Sequence, residues 1–239
     1  MIAAVICAAG ASTRMGEGLK KEYRPLNNAN GGLTVLGAAV SAFAAIPEIK
    51  SIVITVPADY TIGEAAARKA LPPELFTRIN CPAIHFISGG RSRQASVFNA
   101  LTVLAHYSPD FVLIHDGARP WVSASLITRI IAQVKLHHAV IPLLPLTETP
   151  KETDVPLDGS NTVFITQHLR RAVIGAAQTP QAFVFSEIFA AHKHALDRCG
   201  ANDEFTDDAE IWSAFIGPVA AISGEPQNRK ITFPEDLVP

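Results

Sequence analysis

The sequence has few cysteines, almost no net charge and no apolar run long enough to cross a bilayer. Cys7, Cys81 and Cys199 are an odd number and form no CxxC pair, which argues against a disulfide framework or a structural zinc site. Free cysteines in this number fit a reducing, cytoplasmic location. Because 20 basic and 22 acidic side chains leave a net charge of −2, no general attraction to nucleic acid or to an anionic membrane is expected.

The rest of the composition is that of an ordinary globular protein. The chain has 239 residues, of which 48% are hydrophobic and 18% charged, so it can bury a full core and is not intrinsically disordered. No internal repeat or linker divides it, and we predict one domain over residues 1–239. The apolar segment Ile2–Ala11 has no basic residue before it and polar residues after it, which predicts a buried strand rather than a signal peptide.

Strand-like and helix-like segments alternate through the first 143 residues. The predicted strands are Ala3–Cys7, Ser51–Val56, Ala83–Ile87, Phe111–His115 and Ala139–Leu143. The predicted helices are Thr34–Ile46, about 62–70, Arg93–Leu104, and one that Ser123 caps and that runs to about Lys135. This alternation predicts an α/β fold with a mostly parallel sheet covered by helices. Ligands bind beyond the carboxyl ends of such strands, at the loops that begin at Ala8, Ser88 and Asp116.

The pattern changes near residue 144. Residues 144–170 are largely polar, contain three prolines and one glycine, and include one strand-like run, Thr162–Thr166. A hairpin excursion and a disordered loop both fit, and a loop of this length in a compact domain is usually functional. The remaining sequence predicts a helix over Ser186–Arg198 closed by Gly200, a helix capped by Thr206, and a final strand over Val219–Ser223.

The first candidate site is the segment Ala8–Gly16, which follows the first predicted strand. Its small residues let backbone N–H groups approach an anion closely. It has neither the Gly-Lys-Ser/Thr ending of a P-loop nor the GxGxxG of a dinucleotide fold. Basic side chains outnumber acidic ones over residues 14–24; they are Arg14, Lys20, Lys21 and Arg24. Small residues with clustered cations suit a triphosphate, and the plainer alternative is a solvated polar turn.

Two further candidate loops lie at carboxyl ends of predicted strands. Gly89–Ser96 opens a helix, so its N–H groups can hold an anion or a base edge; a tight turn with Ser92 as N-cap is the alternative. In the run His115–Pro120, Asp116 can hold Mg²⁺ bound to phosphates, unless it forms a purely structural pair with Arg119. We expect His115 to be a hydrogen-bonded core histidine. Together these loops indicate a phosphate-handling α/β enzyme.

Read with the polar segments further along the chain, the loops resemble the 2-C-methyl-D-erythritol 4-phosphate cytidylyltransferases of the non-mevalonate isoprenoid pathway. The resemblance runs from Ala8 to Leu237. Its segments are AAGASTRMG with Lys21-Glu22-Tyr23, GGRSRQASV at 89–97, HDGARP at 115–120, TPK at 149–151, QTPQAF at 178–183, TDDA at 206–209, and NRKIT with PED at 228–236. Any one of them is modest evidence, whereas seven in the family's order are specific.

The resemblance implies a Rossmann-like nucleotidyltransferase fold with helices on both faces of the sheet. It implies an inserted β-arm at about 144–170 that joins two subunits into a homodimer. The implied reaction is in-line attack of the acceptor phosphate of methylerythritol phosphate on the α-phosphate of CTP, with Mg²⁺. The products are 4-diphosphocytidyl-2-C-methyl-D-erythritol and pyrophosphate.

The resemblance also assigns roles to individual residues. CTP would be held by Ala8, Ala9, Gly10, Ala11, Ser12, Gly90, Arg91 and Ser96. The catalytic cations would be Arg14 and Lys21 at the α-phosphate, with Arg171 and Lys230 at the acceptor phosphate. Asp116 would lie beside the metal and the substrate. The acceptor site would be lined by Asp116, Arg119, Thr149, Arg171, Thr179, Thr206 and Lys230.

Four positions depart from the family pattern, and two other functions stay open. The departures are Arg91, Glu148, Pro150 and Arg229, and none removes a residue with an assigned role. A ribitol-5-phosphate cytidylyltransferase would share fold and mechanism, although Lys151 and the TDDA segment favour methylerythritol phosphate as the acceptor. A non-catalytic nucleotide-binding module is the other alternative, and the presence of Lys21 and Asp116 argues against it.

Overall fold

The computed structural model of the chain describes residues 1–12, 19–26, 32–57, 59–155, 157, 162–198 and 205–237. Within these residues the strands are β1 (Ile2–Cys7), β2 (Ile49–Val56), β3 (Ala83–Ser88), β4 (Phe111–Asp116), β5 (Ala139–Pro145), β6 (Lys151–Thr153), β7 (Ile165–His168), β8 (Gly175–Ala177), β9 (Gln181–Val184) and β10 (Ala220–Ser223). The α-helices are α1 (Val35–Ala44), α2 (Tyr60–Ala70), α3 (Glu74–Thr77), α4 (Arg93–Leu104), α5 (Ala124–His137), α6 (Phe185–Arg198) and α7 (Asp208–Phe215).

Eight strands form one sheet, in the order β10-β5-β9-β4-β1-β2-β3, with β8 paired to β5. The pairs β1–β2, β2–β3, β1–β4 and β5–β10 are parallel. Strand β9 runs antiparallel to both β4 and β5, and β8 runs antiparallel to β5. The predicted α/β fold with a mostly parallel sheet is therefore confirmed.

Helices cover both faces of the sheet because its central strands are apolar on both sides. In β1, Ala4 and Ile6 join one core cluster while Ala3 and Val5 join the other. The first cluster includes apolar residues of α1, α2 and α5, and the second includes apolar residues of α4, α6 and α7. This double burial explains why β1 reads as a continuous apolar run.

Side-chain caps fix where several helices begin. The hydroxyl of Ser123 accepts a hydrogen bond from the Leu126 N–H at 2.9 Å, which confirms the predicted cap of α5. The predicted cap of α7 is wrong, because the Asp207 carboxylate accepts the Glu210 N–H at 2.8 Å. Thr206 instead donates its N–H and its hydroxyl to the Glu210 carboxylate, both at 2.7 Å. Helix α7 therefore begins at Asp208.

The segment after β5 is a hairpin excursion. Strands β6 and β7 pair antiparallel as a separate two-stranded sheet. The predicted run Thr162–Thr166 is displaced, since β7 occupies Ile165–His168. Strands β6, β8 and β9 were missed because three or four residues are too few to establish a period of two. Gly200, the predicted end of α6, lies outside the described residues.

No helix in the described part of the chain combines the length and the apolar character needed to span a membrane.

Candidate active site

The three loops predicted from the sequence meet around a cavity of about 550 Å³ at the carboxyl ends of β1, β3 and β4. Ten predicted site residues line it: Ala9, Gly10, Ala11, Ser12, Lys21, Gly90, Arg91, Ser96, Asp116 and Lys230. Six others are described but are not among its lining residues: Ala8, Arg119, Thr149, Arg171, Thr179 and Thr206. Arg14 lies outside the described residues.

Glycines allow the first two loops to approach each other closely. A Cβ atom on Gly89 would lie 2.3 Å from the Cβ of Ala9, and one on Gly90 would lie 2.5 Å from the Cβ of Ala95. The Gly90 N–H donates to the Ser96 hydroxyl at 3.0 Å, which fixes the second loop against the start of α4. The result is a cavity wall built from backbone, of the kind that can approach a phosphate.

The carboxylate of Asp116 lies at the end of β4 among three cations. Its Oδ2 atom is 2.9 Å from the Lys230 Nζ and 3.6 Å from the Arg119 Nε. Its Oδ1 atom is 3.4 Å from the Arg93 Nε. Burial alone would raise the pKa of Asp116, but Arg93, Lys230 and Arg119 together hold it well below its usual value. Asp116 is therefore ionised throughout the neutral range.

Lys21 supplies another cation to the cavity lining. It starts a short 3₁₀ turn, Lys21–Tyr23, and its ammonium group donates to the Ile231 carbonyl at 3.1 Å. Burial lowers the pKa of Lys21. The adjacent Glu22 is engaged elsewhere, because its carboxylate accepts from Lys20 at 2.7 Å and from Ser12 at 3.1 Å. Glu22 therefore makes no ion pair with Lys21. Beyond its bond to Ile231, the Lys21 ammonium group has further N–H donors for a ligand.

His115 is the hydrogen-bonded core histidine that the sequence predicts. Its Nε2 is 3.1 Å from the Arg119 carbonyl, which can only accept, so Nε2 carries the proton. The Thr179 hydroxyl then donates to Nδ1 at 2.9 Å and accepts the Asp116 N–H at 3.1 Å. Burial lowers the pKa of His115 to about 4, so the imidazole is neutral at physiological pH.

We expect the free energy of unfolding to decrease as the pH drops from 6.5 towards 4. The unfolded chain protonates His115 below its ordinary pKa of 6.5, whereas the folded chain keeps it neutral down to about 4. Between pH 7.5 and 5.5 this group should account for a loss of about 1 kcal/mol. Urea unfolding of the wild type and of His115→Gln, whose amide can keep both hydrogen bonds, measures this difference. An equal pH dependence in the two proteins would contradict the assignment.

Cys7 lines the cavity but should be chemically inert. Burial raises the pKa of its thiol to about 12. The thiolate is the reactive species, so alkylation at pH 8 should be about 10³-fold slower than for an ordinary cysteine. Mass spectrometry after iodoacetamide treatment should find Cys7 unmodified in the folded protein and modified in urea. Rapid labelling of folded protein at Cys7 would show that this prediction fails.

Two buried amide side chains that the sequence reasoning left without a role, Gln178 and Asn228, anchor the segment carrying Lys230. The Asn228 amide donates to the Thr179 carbonyl at 2.8 Å. The Gln178 amide donates to the Asn228 carbonyl at 3.1 Å. Arg119 donates to the same carbonyl at 2.8 Å, which explains its position outside the cavity wall. These bonds hold Lys230 against Asp116. The sequence signal for this anchoring is the pair of amide residues, Gln178 in the segment QTPQAF and Asn228 in the segment NRKIT.

Three predicted acceptor residues lie apart from this cluster. Thr149, Arg171 and Thr206 are exposed, and none of the three is among the described residues that line the cavity. Arg171 follows the β6–β7 hairpin and donates to the Thr147 carbonyl. Their predicted contact with an acceptor stays a prediction.

The carboxylates of the cavity suit a metal ion that arrives on phosphates. No group of three or more His, Cys, Asp or Glu side chains in the described ranges is arranged to hold a metal by itself. Asp116 and Glu22 are the two carboxylates among the described lining residues. Mg²⁺ usually takes one or two carboxylates together with substrate phosphates, and this donor set fits that use.

A mostly parallel sheet, a small-residue loop after β1 and several cations around an ionised carboxylate define an α/β protein of the nucleotidyltransferase class. The sequence profile of the 2-C-methyl-D-erythritol 4-phosphate cytidylyltransferase (IspD) family matches residues 2–239. The chain belongs to this family.

Curated relatives and solved structures agree with this membership. The chain is 40% identical over 239 residues to the bifunctional enzyme IspD/IspF of Bradyrhizobium sp. (strain ORS 278), a match that covers 99% of this chain and 54% of the relative. The chain thus spans about half the length of the curated relatives it matches. It is similar to the 4-diphosphocytidyl-2C-methyl-D-erythritol synthase of Anaerococcus prevotii DSM 20548, with a TM-score of 0.77, 26% identity, and coverage of 99% of this chain and 92% of that chain. It is also similar to the 2-C-methyl-D-erythritol 4-phosphate cytidylyltransferase of Thermus thermophilus, with a TM-score of 0.71, 28% identity, and coverage of 99% and 96%.

Proposed function

We propose that this chain transfers the cytidylyl group of CTP to 2-C-methyl-D-erythritol 4-phosphate. The observation that carries the proposal is a family match over nearly the whole chain, combined with a cavity in which Lys21, Lys230 and Asp116 converge. The products are 4-diphosphocytidyl-2-C-methyl-D-erythritol and pyrophosphate. A cytoplasmic location stays a prediction from the cysteine content.

The nucleotide would lie along the wall formed by Ala9–Ser12 and Gly90. Its triphosphate would face the backbone of these two loops and the ammonium group of Lys21. Arg14 is proposed as a second cation there on the resemblance alone. Arg91 and Ser96 also line this part of the cavity, although the Ser96 hydroxyl is engaged with Gly90.

The chemistry needs charge neutralisation and alignment more than a base. An oxygen of the acceptor phosphate, already ionised at neutral pH, attacks the α-phosphorus of CTP. The bond from that phosphorus to the bridging oxygen breaks, and pyrophosphate leaves with the electron pair. Lys21 would stabilise charge developing at the α-phosphate, and Lys230 would offset repulsion between the two anions.

Mg²⁺ is proposed as the cofactor, held by the phosphates with Asp116 as the protein carboxylate. When bound, it would neutralise charge on the triphosphate and favour the departure of pyrophosphate. Asp116 suits this task because it is ionised and lines the cavity.

We also propose a homodimer joined through the hairpin arm at about 144–170. The arm exposes large apolar side chains, with 79% of Leu157 and 71% of Phe164 open to solvent. A two-stranded sheet of this size is marginal alone, so a second copy would order and cover it. Thr149 and Arg171 would then complete the acceptor site of the partner subunit, since they do not line the cavity of their own.

Pyrophosphate release tests the proposed activity. Purified protein with CTP, Mg²⁺ and methylerythritol phosphate should release pyrophosphate, and omission of the acceptor should abolish the release. Replacement of CTP by ATP or GTP should lower the rate strongly. Release without an acceptor, or no release with the complete mixture, would refute the assigned reaction.

A further inference from the structure

A buried carboxylate next to the cavity, that of Asp208, takes no part in the proposed reaction. Asp208 is the first residue of α7, and its side chain is fully buried. Its Oδ2 is 2.8 Å from the Arg93 Nη1, and its Oδ1 is 3.1 Å from the Nε2 of the buried His192. Burial alone would raise the pKa of Asp208, but Arg93 and the His192 hydrogen bond lower it below the ordinary value. A buried, ionised carboxylate is costly unless its partners are fixed.

Arg93 bridges this carboxylate to the proposed catalytic one. It is the first residue of α4 and lines the cavity. Its guanidinium is 2.8 Å from Asp208 through Nη1 and 3.4 Å from Asp116 through Nε. The shorter contact is to the residue that no ligand can reach. Without Asp208, the Arg93 guanidinium could form two parallel hydrogen bonds with the Asp116 carboxylate, which is the stronger geometry for this pair of groups.

We propose that Asp208 is a positioning residue, which holds Arg93 away from two-bond pairing with Asp116 and so keeps the Asp116 carboxylate available in the cavity. This inference rests on the proposed function for its kinetic consequence. Removing the charge of Asp208 frees Arg93 to close onto Asp116. The carboxylate would then be less accessible to the acceptor and to a phosphate-borne Mg²⁺, while the backbone wall proposed for CTP would be unchanged.

The adjacent residue offers a matched control. Asp207 is an acid at the same helix start, and its carboxylate accepts from the Glu210 N–H and from the Gln181 side chain, both at 2.8 Å. Neither of these bonds involves Arg93. Asp207→Asn therefore weakens the start of α7 as a cap substitution does, without releasing Arg93.

The kinetic test compares Asp208→Asn with Asp207→Asn. We expect Asp208→Asn to lower kcat at least about 10-fold, with the Kd for CTP within about threefold of wild type. Asp207→Asn should stay within about threefold in both quantities. Asp208→Glu, which retains the charge, should recover part of the lost kcat. Equal kcat values in the two asparagine variants would overturn the inference.

A measurement without substrates separates this inference from the proposed function. In ¹⁵N-arginine NMR, the Arg93 Nε–H signal should shift in Asp208→Asn and stay unchanged in Asp207→Asn. An unchanged signal in both would overturn the inference even if the enzyme is active. If wild-type protein releases no pyrophosphate, the proposed function fails while the NMR result still stands. Should Asp208→Asn not fold, Asp208→Glu carries the test: its displaced carboxylate should shift the Arg93 Nε–H signal and lower kcat by less than about 10-fold, and a wild-type signal with a wild-type kcat would overturn the inference.

Discussion

Lys21→Ala is expected to lower kcat by about 10² to 10³-fold while the KM for CTP changes by no more than a few-fold. The ammonium group of Lys21 lies at the cavity wall, where negative charge would develop on the α-phosphate in the transition state. An interaction made mainly in the transition state acts on turnover rather than on ground-state binding. Steady-state pyrophosphate release, with CTP varied at saturating acceptor, separates the two quantities.

Lys20→Gln is the control for this substitution. It removes a positive charge one residue away, and its amide can still donate to Glu22, the present partner of Lys20. We expect its kcat to remain within a few-fold of wild type. A Lys21→Ala enzyme with near-normal kcat and a raised KM for CTP would assign Lys21 to nucleotide binding instead.

The second large effect concerns the acceptor site and the proposed dimer. Lys230→Ala and Arg171→Ala should each lower turnover with methylerythritol phosphate by about 10²-fold, with CTP binding nearly unchanged. Lys230 contacts Asp116 in the cavity, whereas Arg171 lies exposed beyond the arm. If each site takes Arg171 from the partner, a heterodimer of the two variants has one intact site. Random mixing of the two inactive proteins should then restore about a quarter of wild-type sites.

The mixing experiment contains its own control. Each variant mixed with itself through the same unfolding and refolding steps should remain inactive, and CTP binding by calorimetry should be retained in both. No recovery of activity in the mixture, with heterodimers verified by mass, would show that Arg171 does not act across the subunit interface. Unchanged acceptor kinetics in both single variants would end the acceptor hypothesis.

The central fold can be predicted from this sequence because its buried strands are apolar on both faces. Helix α4 occurs at Arg93–Leu104 as predicted, and β1 differs from the prediction by one residue. Strands β8 and β9 cannot be predicted in this way, since their pairing with β5 depends on distant residues. The α7 cap was misassigned because Thr206, Asp207 and Asp208 all suit a helix start, and tertiary contacts decide which one caps it.

The loops that form the candidate site can be predicted from the sequence, but the contacts between their side chains and the rest of the fold cannot. Small residues and cations after β1, β3 and β4 indicate the cavity, which the folded chain forms. Arg93 carries no local signal of its contact with Asp208, because 115 residues separate them and the contact arises only when α4 and α7 pack on one face. The departure at Arg229 has a simple structural account, since its guanidinium lies 4.6 Å from the centre of the Trp121 ring.

A competition between two acceptors tests directly whether methylerythritol phosphate is the substrate of this chain. Wild-type protein is supplied with CTP, Mg²⁺ and equal concentrations of methylerythritol phosphate and ribitol 5-phosphate, and ³¹P NMR follows both diphosphate products and pyrophosphate. We expect 4-diphosphocytidyl-2-C-methyl-D-erythritol to form at least about 10²-fold faster than the ribitol product. Faster formation of the ribitol product, or the absence of pyrophosphate with both acceptors present, would contradict it.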